Sequence, residues 1–175
     1  MSNKESDLKE KFRNALASTV RVISGELEAK ERSENNKNLK KFEFLDLSNF
    51  NNKTEFIKAR AESDSLALKK KFSNDIIYKK NLPSNLSCKT LYALTEKIRC
   101  ESLGGKMLKG IEKNFQENYF QMLNSKKKDQ LKTKDDIQVS EAFELYMLKN
   151  FHNIKLNNLA SQILNFWEKD FDASL

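Results

Sequence analysis

The sequence predicts an all-α fold: about six helices in one bundle-like domain, with a short extended arm or strand near residues 40–47. Three observations lead there. Apolar residues recur at spacings of three and four over most of the chain, the period of a helix face. Four glycines and one proline in 175 residues are too few for the tight turns a sandwich or barrel needs about every 8–12 residues. No internal repeat of the roughly 20–50-residue kind is present. The length suits one ordinary domain, so residues 1–175 are expected to form a single helical domain.

The first helix carries Leu8, Phe12, Leu16, Val20 and Ile23 on one face, with Ser6 or Asp7 as cap and Ser24-Gly25 as stop. Residues 26–38 lose the period and read as solvated chain; Phe42, Phe44 and Leu47 alternate weakly with polar residues, and 49–53 is turn-like. Residues 26–53 are therefore a loop or insertion. A second helix begins near Thr54, with Ile57, Ala61, Ser65, Leu68 and Phe72 on one stripe, and ends at Ser73. Ile76, Ile77 and Tyr78 suit a single helical turn. Proline favours the first helical position, so a third long helix is expected to open at Pro83-Ser84. It carries Leu91, Leu94, Ile98 and Leu103 and should stop at Gly104-Gly105. A fourth follows from about Lys106 with Met107, Ile111, Phe115, Tyr119 and Met122. Residues 124–138 are lysine-rich and apolar-poor, a second loop or insertion. Two helices close the chain, one around Phe143, Met147, Leu148 and Phe151, the other bearing Leu156, Leu159, Ile163, Phe166 and Trp167.

The charge of +7 comes from 27 lysines and only 5 arginines, beside 19 asparagines. That skew has the look of AT-rich coding rather than of a phosphate-reading surface, since arginine is the residue of bidentate phosphate and base contacts. The triplets Lys69-Lys70-Lys71 and Lys126-Lys127-Lys128 lack interleaved aromatics for base stacking and read as a solvated helix end and a linker. A basic helical nucleic-acid-binding module is thus the alternative, not the preferred reading. No run approaches the ~18 apolar residues of a membrane span, and the first residues have no signal-peptide core. No membrane partner is expected, and the default compartment is the cytoplasm. Cys88 and Cys100 fall in helical text and are expected to be reduced thiols.

Candidate chemistry is sparse. The single histidine, His152, follows an apolar run near a helix end, where such a residue caps or half-buries itself more often than it catalyses. Two cysteines and one histidine are too few for a Cys/His zinc site. Gly104-Gly105-Lys106-Met107 lacks the spacing and hydroxyl of a P-loop. Asp172-Ala173-Ser174-Leu175 only begins a D-x-S-x-S metal-adhesion motif. No catalytic, cofactor-binding or metal-binding residue is assigned.

One constellation is unusual. Glu96 and Arg99 lie three apart on the third long helix, just before Glu101 and Gly104; Arg60 and Asp64 lie four apart on the second. The plain alternative is a surface set worth about 0.2–1 kcal/mol per pair. The sharper reading is a buried network joining the two helices, in which Arg99→Ala destabilises the domain because a buried carboxylate loses its partner.

The text around this helix is familiar. Thr95-Glu96-Lys97-Ile98-Arg99-Cys100-Glu101-Ser102-Leu103-Gly104-Gly105-Lys106-Met107, followed by Gly110-Ile111-Glu112-Lys113-Asn114, resembles a signature of the CobT subunit of aerobic cobaltochelatase. Glu96, Arg99, Glu101, Gly104, Gly110 and Asn114 match in place, while Lys97 replaces the usual glutamine. Phe12-Arg13-Asn14-Ala15 with the stretch from Thr19 to Gly25 is similar to that family's N-terminal helix. Arg60 to Leu68 is similar to its R-x-x-A-D-x-x-A-L helix, and Leu164 to Trp167 to its L-x-x-W segment. The resemblance implies a non-catalytic adaptor working beside an AAA+ ATPase subunit and a large chelatase subunit. The complex uses ATP, magnesium and cobalt to form nitrogen–metal bonds, inserting cobalt into the corrin hydrogenobyrinic acid a,c-diamide. Arg60, Asp64, Glu96, Arg99, Glu101, Gly104 and Asn114 would then form its structural or docking network. Family chains continue into an acidic linker and a von Willebrand A domain, neither of which is in these 175 residues, so the chain is expected to correspond to the N-terminal helical domain.

Overall fold

The computed structural model describes residues 2–25, 52–125 and 133–174, with side chains from residue 7 onward. The arm near 40–47 and the triplet Lys126-Lys127-Lys128 lie outside the described residues. Within them the protein is all-α, with eight α-helices, one 3-10 turn and no strand. They are α1 (Ser2–Ser24), α2 (Lys53–Phe72), α3 (Asp75–Lys80), α4 (Leu86–Met107), α5 (Lys109–Ser125), α6 (Val139–Phe151), α7 (Asn158–Asn165) and α8 (Glu168–Ser174); the 3-10 turn is Lys134–Asp136. The chain divides into two compact units, Met1–Ser73 and Asn74–Leu175.

In the first unit α1 packs along α2. Leu16, Val20 and Ile23 are buried as the periodicity requires, whereas Leu8 stays exposed. Phe12 meets Phe56 edge-on with centroids 4.9 Å apart, beside Leu16 and Ala59. Buried positions on α2 run over a broad arc of small residues (Ala59, Ala61, Ser63, Ala67), which lets a neighbouring backbone come close. Gly25 ends α1 with φ +77°, a left-handed conformation that favours glycine.

The second unit is centred on α4, which packs against α5 and α6; α6 in turn receives α7 and α8. Asparagine supplies the N-caps. Asn52 accepts from Glu55 N on α2, Asn74 from Ile76 N and Ile77 N on α3, Asn85 from Ser87 N and Cys88 N on α4, and Asn157 from Ala160 N on α7. Each side chain satisfies amides that a helix start leaves without intrahelical partners. Asn157 also donates from Nδ2 to Leu123 O (2.9 Å), tying α7 to the end of α5.

Three boundaries differ from the sequence reading. The third long helix opens at Leu86, not at Pro83-Ser84, because Asn85 offers a two-amide cap that proline cannot. It runs through Gly104-Gly105 to Met107, since both glycines are buried and helical, and breaks at Leu108. A Cβ on Gly105 would sit 3.4 Å from Glu112 Cβ, an ordinary contact distance, so Gly105 is a buried position inside the helix rather than a stop. The last helix is two, divided at Phe166-Trp167. Phe171 of α8 packs against Phe143, Tyr146 and Trp167, which draws α8 onto α6. Lys149–Glu168 (2.5 Å), Lys134–Asp170 and Tyr146 Oη donating to Asp172 (2.9 Å) reinforce it from outside.

Candidate functional site

The charged residues singled out in the sequence separate into distinct environments. On α4, Arg99 grips Glu96 with two parallel bonds, Nε to Oε2 at 2.7 Å and Nη2 to Oε1 at 2.9 Å. The three-residue spacing brings both side chains to one face. Arg99 keeps 44% of its side-chain surface and Glu96 15%, so the pair straddles the protein boundary. Its carboxylate holds the guanidinium further above its already high value. Cys100, beside the pair, is buried, and that burial pushes its thiol up to about 11, with Glu96 adding to the effect.

Glu101 is different. It is 1% exposed and faces the centre of the second unit. Tyr119 of α5 donates its hydroxyl to Glu101 Oε2 at 2.6 Å. His152 places Nε2 3.6 Å from the same oxygen, and Lys97, one turn back on α4, brings Nζ to 4.0 Å from Oε1. Lys97 also lies 5.6 Å above the Tyr119 ring, its stem reaching inward from the surface. Lys97 therefore puts a cation beside a buried carboxylate.

His152 is positioned by the end of α6. It is the C-cap residue, donating its backbone N–H to Leu148 O. Asn153 then takes φ +51°, a left-handed turn that asparagine tolerates, and lets Ile154 N reach Leu148 O. The ring is driven inward between Phe115 and Tyr119, with centroids 5.9 and 5.8 Å away. Burial, helped by Lys97, holds the imidazole down to about 4, so it is neutral at pH 7. Its Nε2 is buried and finds no hydrogen-bond partner among the described residues. The Tyr119 phenol is raised well above its ordinary value, first by burial and then by Glu101.

α4, α5 and the end of α6 thus meet at one carboxylate. All three polar side chains face the core, where Tyr119 ties α5 to the Glu101 carboxylate of α4 and His152 lies against it. Gly104 is buried one turn beyond Glu101, and Asn114 is half-buried on α5. Arg60 and Asp64 belong to the first unit, Arg60 exposed and Asp64 buried at 2%. The Glu96–Arg99 pairing follows the sequence reading. His152 caps and buries itself at a helix end as the sequence reading expects; the role of Tyr119, and the approach of His152 to Glu101, are not foreseen by it. A tyrosine on a core stripe needs a partner for its hydroxyl, and that was the available signal. Among the described residues no group of three or more His, Cys, Asp and Glu side chains converges as a metal site would require, and no helix is long and apolar enough to cross a membrane. Lys69, Lys70 and Lys71 are exposed in the last turn of α2, where cations complement the helix dipole.

The protein is thus all-α among its described residues, with a buried carboxylate hydrogen-bonded between α4 and α5. The family model described as cobalamin biosynthesis protein CobT matches residues 6–175, essentially the whole chain, and the protein belongs to that family. No curated protein and no solved structure matches it.

Proposed function

We propose that this chain is a non-catalytic adaptor of an ATP-dependent cobaltochelatase, acting by docking an AAA+ ATPase subunit and a large chelatase subunit. The observation that carries the reading is the family match over residues 6–175. The buried Glu101 cluster supports it, because polar groups committed to helix register suit a scaffold better than an active site. In this reading ATP and magnesium are handled by the ATPase subunit. Cobalt and the corrin hydrogenobyrinic acid a,c-diamide are substrates of the assembled complex, and Glu96, Arg99, Glu101, Gly104, Asn114, Arg60 and Asp64 shape the docking scaffold. The test is reconstitution: the two other subunits with cobalt, ATP and the corrin, with and without this chain, followed by the corrin absorbance change. Insertion that depends on the chain, together with its co-purification with either subunit, is the expected result. Equal insertion without it removes the proposal.

A further inference from the structure

α4 and α5 are joined by one residue. Leu108 is the single non-helical position between Leu86 and Ser125, with φ −136° and ψ 107°. Its N–H still donates to Gly104 O, and its carbonyl accepts from Ile111 N and Glu112 N, so both helices reach the corner intact. Leucine is a strong helix former. A helix end and a helix start each leave about four backbone groups without intrahelical partners. Turning Leu108 helical would pair those groups within one rod roughly 60 Å long. Such a rod cannot stand alone, because it would lift Phe115, Tyr119 and Leu123, each 1–2% exposed, off the rest of the unit. The contacts that bury them are α5 and α6 on α4, with the Tyr119–Glu101 hydrogen bond among them. None passes through Leu108, and a second copy of the chain offers the same surfaces.

The corner also carries apolar surface that the bent form leaves in water. Leu103 and Met107 lie four apart, hence on one face of α4, and are 38% and 46% exposed; Leu108, next to Met107, is 44% exposed. In a straight rod Leu103, Met107 and Ile111 follow at four-residue steps, so the stripe runs on through the corner. A twofold axis at the corner sets that stripe against itself on the second copy, which is the self-complementary contact of a symmetric dimer.

We propose that the chain forms a domain-swapped dimer: Leu108 turns helical, α4 and α5 become one helix, and α5 to α8 of each copy pack on α4 of the other. The Leu103–Met107–Leu108 surface is then covered by the same surface of the second copy, and the buried Tyr119–Glu101 hydrogen bond joins two chains instead of one. This goes beyond the adaptor reading and does not depend on it.

The 175-residue chain is refolded from urea at rising concentration and its mass read by light scattering after size exclusion. A folded dimer that grows with concentration is expected. Lys109→Pro puts proline at the first position of α5, where it fits, and holds Leu108 out of the helical region. It should leave a folded monomer and weaken the dimer by about a hundredfold or more, since each straightened helix would carry a proline in its interior. Leu103→Ser/Met107→Ser should weaken the dimer about tenfold with the helical circular dichroism unchanged. A disulfide tests the exchange itself. A Cβ at Gly105 lies 3.4 Å from Glu112 Cβ, close to the span of a disulfide. Chains with Gly105→Cys and chains with Glu112→Cys, both carrying Cys88→Ser, are refolded together and oxidised with oxidised glutathione. A swapped dimer yields a disulfide-linked heterodimer, and added Lys109→Pro abolishes it. A chain monomeric at every concentration overturns the proposal. So does a dimer that Lys109→Pro leaves unchanged, or one that gives no Gly105→Cys to Glu112→Cys link, since either would be joined by surfaces without exchange.

Discussion

Glu96 and Glu101 stand on the same helix, little more than one turn apart, in very different surroundings. Glu96 is held by the two-pronged grip of Arg99 at the edge of the solvent, where water shares the work of stabilising charge. Glu101 is removed from water and depends on groups from three elements, the Tyr119 hydroxyl being the closest. The first is a local pair that any isolated helix of this sequence could form. The second exists only when α4, α5 and the end of α6 have assembled. The pair with the better hydrogen-bond geometry is thus expected to matter less, because burial and not bond count sets the cost of losing a partner.

Breaking the buried side should have the largest effect. Glu101→Ala strips the Tyr119 hydroxyl of its acceptor and leaves a cavity in the second unit, and should cost about 2–5 kcal/mol, read as a melting temperature lower by roughly 10 °C or more. Glu101→Gln should recover part of that loss. Next comes pH. The His152 imidazole titrates near 6.5 when unfolded and about 4 in the fold, so the unfolded chain binds the extra proton between those values. Its contribution is complete above about pH 6.5 and is lost as pH falls towards 4, amounting to about 2–3 kcal/mol. Denaturant melts from pH 7.5 to 4 should show it, and His152→Leu should flatten that window. A parent chain that gains stability on acidification would mean an imidazolium–Glu101 ion pair instead.

Tyr119→Phe keeps the ring and removes the hydroxyl, so urea melts should show a loss of about 1–3 kcal/mol. Arg99→Ala should cost about 1 kcal/mol or less, because Arg99 is nearly half exposed and its bidentate partner keeps contact with water. A loss as large as that of Glu101→Ala would erase the distinction between the two carboxylates. The smallest effect is chemical. One thiol, Cys88, should react promptly with a disulfide reagent at pH 8, while Cys100, buried and pushed up to about 11, stays protected until the unit unfolds.

Much of this was legible in the residue order. Apolar spacing placed α1, α2, α4, α5 and α6, and it brought Glu96 to Arg99 because i,i+3 proximity is a property of the helix itself. Other features depended on competition between neighbours. Proline at position 83 resembled a helix start until Asn85 offered the better cap, and Gly104-Gly105 resembled a stop although both lie buried within the helix that continues to Met107. The asparagine surplus, which reads as coding bias, supplies four helix N-caps. Tyr119 sat in plain view on a core stripe, but nothing local says that its hydroxyl meets a carboxylate 18 residues earlier.

Short-range periodicity and strings of residues in fixed order were enough for the helical class, the family and the surface pairing. Which carboxylate is buried, that His152 lies against it and is held neutral, and that Ile76 and Leu86 are left outside came from the assembly of the helices. Burial is a property of surfaces brought together by the whole fold, and the same glutamate or isoleucine carries no mark in the chain of which side of that boundary it will occupy.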